Sequence, residues 1–180
     1  DGTSGAKNNV VCTKIEEKMG IHASATCEMT FGGEGECIGE LIGKEGEGMA
    51  NMFIMMNEAR LLCGVQGESQ ANLSYQLTEQ YAKERSQFGT EIINHPDVKR
   101  MLLKMRSMSR GMRALNIYTA NLFDKLHTEK DQSIEDEIAI LTPICKAYCT
   151  DVGFNVAVDA VQVHGGYGYC TEYGIEQFVR

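Results

Sequence analysis

Apolar positions along this chain change their period once. Before about Lys44 they come in short, often β-branched runs broken by glycine, at residues 10–13, 25–31 and 36–42. Each run predicts a short strand, and Gly32-Gly33-Glu34-Gly35 reads as the turn between the last two. This is too little β-structure for an independent barrel or sandwich, so the stretch reads as the tail of a β-domain. From about Gly48 onward the spacing is helical. A first helix is predicted over residues 49–86, with Met52, Met56, Leu62, Val65 and Leu73 among its apolar positions. Gly64 and Gly67 inside it admit close approach of a neighbouring element, at a cost of roughly 1 kcal/mol each against alanine.

A second helix is predicted to open at Asn94-His95-Pro96-Asp97. Proline suits a first turn, and Asp97 complements the positive end of the helix dipole. Its seam (Met101, Met105, Met108, Met112, Leu115, Thr119, Leu122 and Leu126) alternates steps of four and three. That is the spacing of a helix packed at a shallow angle in a bundle. A third helix is predicted over about residues 138–163, with Pro143 either setting a first turn or kinking it. The expected fold is mainly α: an antiparallel helical bundle over residues 47–180, preceded at 1–46 by the last strands of a β-barrel-like domain.

Composition narrows the function classes. The chain has 180 residues, starts at Asp1 and stops at Arg180 within a structured stretch, so it is expected to be a piece of a longer polypeptide. Its net charge of −8 offers no basic face to displace counterions from nucleic acid. No apolar run approaches the ~20 residues that span a bilayer, so a membrane is not required. Seven scattered cysteines, an odd number without any C-x-x-C pair, suit a reducing compartment and argue against a zinc site.

Candidate chemistry sits in three places. Gln162-Val163-His164-Gly165-Gly166-Tyr167-Gly168-Tyr169 packs three glycines into four positions after an apolar-periodic segment. One glycine would be explained by a helix C-terminus, with Gly165 or Gly166 as the cap. Three, interleaved with tyrosines, point to backbone that passes close to a phosphate or a flat cofactor. Glu84-Arg85-Ser86-Gln87-Phe88-Gly89 reads either as a helix stop with Gly89 as its left-handed cap, or as an arginine fork presented to a phosphate. Asn57-Glu58-Ala59-Arg60 reads in isolation as a solvated helix face. His95 and His164 alone read as cap or packing residues, and Cys145 and Cys149 as small core residues.

Together these blocks resemble the acyl-CoA dehydrogenase family. Residues 84–89 match its E-R-x-x-F-G, and residues 162–169 match its Q-x-x-G-G-x-G-[FY], followed by Thr171-Glu172-Tyr173-Gly174-Ile175-Glu176-Gln177. Upstream, residues 18–26 fit the family's middle β-domain and Gly46-Glu47-Gly48 its link into helix. The motifs fall in the family's order and spacing along the whole chain. Residues 53–60 look most like the larger bacterial members, a group that includes enzymes acting on methylthiopropanoyl-CoA as well as on fatty acyl-CoAs.

The resemblance implies an oxidoreductase that uses FAD to convert an acyl-CoA to the trans-2-enoyl-CoA, as in fatty acid β-oxidation. Electrons then pass to an electron-transfer flavoprotein. It implies that Arg85 and Gln87 touch FAD, with Arg85 at the pyrophosphate, and that His95 stands on the flavin side. Gln162, Val163, His164, Gly165 and Gly166 would line the FAD of a neighbouring subunit in a homodimer or homotetramer. Asn57 and Arg60 correspond to positions that contact CoA, and Ser24 to one near the pantetheine. The implied compartment is the bacterial cytoplasm, or the mitochondrial matrix in a eukaryote.

The catalytic base implied by the family is a glutamate just beyond Arg180. Some members carry it before the arginine equivalent to Arg60, but that position here is Ala59. Glu58 lies one residue away, turned about 100° around a helix. The 180 residues alone are therefore expected to be inactive. The resemblance leaves two alternatives: a catalytically degenerate oligomerisation or binding module, and an acyl-CoA oxidase that passes electrons to O₂.

Overall fold

The computed structural model describes residues 5–180, which divide into two compact units at Met49/Ala50. In the first, β1 (Val10–Ile15) pairs antiparallel with β2 (Cys27–Phe31). The register sets Val10 opposite Phe31 and Cys12 opposite Met29, with a bulge before Lys14. The strand expected over residues 36–42 is not formed. Side-chain amides take the place of a ladder there. Asn8 Nδ2 donates to Ile38 O at 2.6 Å while the Ile38 N–H donates to Asn8 Oδ1 at 2.8 Å. Asn9 Nδ2 donates to Glu36 O. The expected turn does appear between β2 and this segment, with Gly32 and Gly35 at positive φ.

The second unit is built on α1 (Gly48–Glu84), α2 (Pro96–Thr128) and α3 (Glu135–His164). Proline occupies the first position of α2, with Asp97 in its first turn and Lys125 and His127 in its last, as the dipole favours. Glu135, Asp136 and Glu137 do the same for the start of α3. Pro143 lies well inside α3 rather than at its first turn, so the Ala139 carbonyl loses its helical donor. The α2 seam packs as its spacing predicts: Met101, Met105, Met112, Thr119 and Leu122 are buried, and Met108 and Leu115 pack against them.

In α1 the large apolar residues do not mark the buried face, whereas Gly64 and Gly67 do admit a close neighbour as expected. Leu62, Val65 and Leu73 are exposed, while Gly64, Gly67, Ala71, Ser74, Thr78 and Ala82 face the core. Small residues hold that face because α3 comes too close for larger ones. A Cβ on Gly67 would stand 2.5 Å from the Cys149 carbonyl oxygen, and one on Gly64 would stand 2.9 Å from that of Cys145. The two buried cysteines are core residues as read, with Cys145 Sγ at 3.2 Å from Thr119 Oγ1.

α1 ends at Glu84, not at residue 86, and the chain does not simply stop in a glycine cap. Ser86–Gln87 (β3) turns back onto Thr90–Glu91 (β4) in a small hairpin. Phe88 and Gly89 at its tip have φ of 55° and 83°, the two left-handed positions of a type I′ turn. After α3 the chain runs through three short 3₁₀ turns to Phe178.

Candidate functional site

The hairpin and the end of α3 face each other across a cavity of about 360 Å³. α1 supplies Tyr81, and Arg85 follows directly after the helix ends; β3 supplies Gln87; the glycine block supplies Val163, His164, Gly165, Gly166 and Tyr167. Two motifs about eighty residues apart in sequence thus meet at one place. His95 sits behind the wall, its Nε2–H donating to the Gln87 carbonyl at 3.3 Å and its ring edge-on to Phe88. Gln162 is exposed and does not line the cavity; its carbonyl accepts the N–H of Gly165.

Glycine is required in this wall for distinct reasons. Gly165 caps α3 at φ 61° and ψ −133°, a region closed to residues with a Cβ. A Cβ on Gly168 would collide with the Val161 carbonyl oxygen and stand 3.1 Å from His164 Cβ. Around Gly165 and Gly166 the opposite holds: a Cβ there would meet no protein atom within 4 Å. Those two positions keep open space open.

The block follows the C-terminal end of α3, the negative pole of the helix, so its carbonyls repel a phosphate rather than cradle one. The positive charge in this wall comes instead from Arg85. It is the permanent cation among the lining residues, which include no carboxylate. Its guanidinium carbon lies 5.2 Å from the centre of the Tyr167 ring. Tyr167 in turn stacks on Tyr173 at 4.7 Å.

His164 is buried, and its ring lies 4.1 Å from that of Tyr81 at 18°. Its Nδ1 is 2.9 Å from the Ala160 carbonyl, which can only accept, so the proton resides on Nδ1 and the lone pair on Nε2. Burial pulls its pKa below the usual imidazole value, outweighing the hydrogen bond to Ala160. Burial likewise raises the Tyr81 phenol, whose Oη donates to the His164 carbonyl at 3.4 Å. The cavity thus offers a cation and aromatic faces. It suits a planar ligand carrying an anionic group, and it contains no strong base.

The other expected residues lie elsewhere. Asn57 lines a second cavity of about 380 Å³ with Glu58, His127, Glu135 and Asp136. Arg60 stands 5.8 Å from the centre of the Phe53 ring. Ser24 belongs to the first unit, where its N–H donates to Ile21 O and its carbonyl accepts from Lys18 Nζ. Among the described residues no three His, Cys, Asp or Glu side chains gather to hold a metal, and no helix is long and apolar enough to cross a membrane. The sequence did not mark Tyr81, Ile92, Tyr167 and Cys170 as lining residues. Only the i, i+4 spacing of Tyr81 and Arg85 could have flagged the first.

Residues 46–180 match the family model for the acyl-CoA dehydrogenase C-terminal domain. The whole chain is 38% identical to part of a butyryl-CoA dehydrogenase of Syntrophomonas wolfei, covering 32% of it. It is also 38% identical to a 3-methylmercaptopropionyl-CoA dehydrogenase of Ruegeria pomeroyi, with 99% of this chain and 32% of that protein aligned. The chain thus spans about a third of the length of these relatives. The structure of an acyl-CoA dehydrogenase from Bacillus anthracis complexed with FAD superposes with a TM-score of 0.84 at 27% identity, over 95% of this chain and 32% of that one.

Proposed function

The chain belongs to the acyl-CoA dehydrogenase family, and from that premise we propose that it forms part of an FAD-dependent enzyme that dehydrogenates an acyl-CoA to the trans-2-enoyl-CoA. The observation that carries this reading is the cavity that joins Arg85 and Gln87 to the 163–166 segment. A diphosphate fits against Arg85, whose fork binds such oxygens in pairs. Gly165 and Gly166 leave room for the cofactor to approach the backbone. The cofactor, when bound, supplies the hydride acceptor. The residues of this chain bind and orient it, and His95 steadies the Gln87 backbone from behind.

The cavity walls carry no carboxylate, so this is a binding site and the α-proton is removed elsewhere. We assign the base to a glutamate beyond Arg180. Arg60 and Asn57 are the proposed CoA contacts and Ser24 the proposed pantetheine contact. The electron acceptor is an electron-transfer flavoprotein, and the flavin site is shared between subunits of a homodimer or homotetramer. Residues 1–46 close the middle β-domain and 47–180 form most of the C-terminal bundle.

Flavin uptake by the full-length protein tests this reading. Wild-type apoprotein regains a flavin absorbance band on reconstitution; Arg85→Gln weakens FAD binding by at least about tenfold and Arg85→Lys by less, because lysine lacks the fork. Equal flavin affinity in wild type and Arg85→Gln contradicts the assignment.

A further inference from the structure

Arg85 has no carboxylate within ion-pair distance among the described residues, although Glu84 is its neighbour in sequence. The Glu84 carboxylate instead accepts from Gln80 Nε2. What the guanidinium does have is the Tyr167 ring, 5.2 Å from its carbon. An aromatic face attracts the cation without consuming any N–H, so all five donors stay available to an incoming anion. A carboxylate partner would have spent two of them.

Tyr167 is itself held. It stacks on Tyr173 at 4.7 Å and 28°, and Tyr173 meets Tyr81 edge-on at 6.1 Å and 88°. Tyr81 lies in the last turn of α1 and its carbonyl accepts the N–H of Arg85, the residue just past the helix end, so the path of contacts returns to where it began. Gly174, at φ 66°, turns the chain immediately after Tyr173. Core packing does not explain Tyr167 and Tyr173, because 41% and 42% of their surfaces remain exposed. Both rings nevertheless form one closed path with Arg85.

We infer that Tyr167 is a positioning residue for Arg85: its ring, backed by Tyr173, holds the guanidinium at the cavity so that the anion site exists before the ligand arrives. This rests on the flavin reading above, in which the anion is the FAD diphosphate. Pre-ordering of this kind spares the ligand the entropy of fixing a long side chain.

The test is FAD titration of full-length apoprotein, followed by flavin fluorescence. Tyr167→Phe keeps the ring and should bind within about twofold of wild type. Tyr167→Leu removes it and should raise Kd about three- to tenfold. In an Arg85→Gln background, Tyr167→Leu should add no further loss, which a general structural defect would not reproduce. The inference is overturned if Tyr167→Leu binds like wild type, or if its effect simply adds to that of Arg85→Gln. Wild-type protein that takes up no FAD would overturn the flavin reading as well. Wild-type binding with an unaffected Tyr167→Leu variant sinks the positioning role alone.

Discussion

Gly67 on α1 and Gly153 on α3 meet backbone to backbone: a Cβ built on Gly153 would stand 2.7 Å from the Gly67 carbonyl oxygen. This contact fixes the separation of the two helices whose C-terminal ends carry Tyr81, Arg85 and His164. Gly153→Ala should therefore destabilise the fold by about 1–3 kcal/mol, the usual cost of overpacking. Gly111, inside α2 with nothing within 4 Å of its would-be Cβ, is the control. Gly111→Ala should stabilise by about 0.5–1 kcal/mol. Denaturant melts of the two variants check the contrast.

The glycine block should divide in the same way. Gly168→Ala forces Val161 and His164 apart and should lower both stability and flavin content. Gly166→Ala adds a methyl to open space, so it should leave the melting midpoint near wild type while weakening FAD binding. Pairing each variant's melt with its flavin absorbance separates packing from ligand clearance.

Acid should weaken the fold through His164. Its folded pKa lies below the unfolded value of about 6.5, so the unfolded chain takes up the proton first. Stability contributed by the neutral buried ring is fully present above that value. It falls as pH drops from there toward the lowered folded value. His164→Gln should flatten this part of the stability–pH curve in urea melts between pH 7 and 5. An unchanged slope would rule out His164 as its source.

Thiol reactivity should follow burial. Burial, with Cys145 close by, pushes the Cys149 thiol up to about 11. Cys145 is fully buried too, so both should resist a thiol reagent until the protein unfolds. Cys12, Cys27 and Cys170 are exposed. Cys27 should lag the other two, because its interaction with Cys12 raises its pKa. Mass spectrometry after brief alkylation reads the order directly.

Helix positions and the α2 seam were legible because a one-sided apolar stripe is written directly in the spacing of Met101, Met105 and Met112. On α1 only Gly64 and Gly67 were legible, as points of close approach; the buried alanine, serine and threonine were not, because their burial reflects how near α3 lies rather than their own hydrophobicity. The 36–42 segment carries strand-like residues, yet the amides of Asn8 and Asn9 hold it instead of a ladder. In the site, Arg85 and the glycines were visible as motifs. Tyr173 was not, because an aromatic contact between distant segments leaves no spacing signal, and Tyr81 had only its i, i+4 spacing from Arg85 to mark it.

Arg85 and the glycine block are proposed to bind a flavin that oxidises acyl-CoA. Anaerobic addition of a short-chain acyl-CoA to the flavin-loaded full-length protein tests it most directly. Bleaching of the flavin band is expected, with no turnover by residues 1–180 alone. A full-length protein that holds FAD but keeps its band unchanged across acyl-CoAs of varied chain length would contradict it.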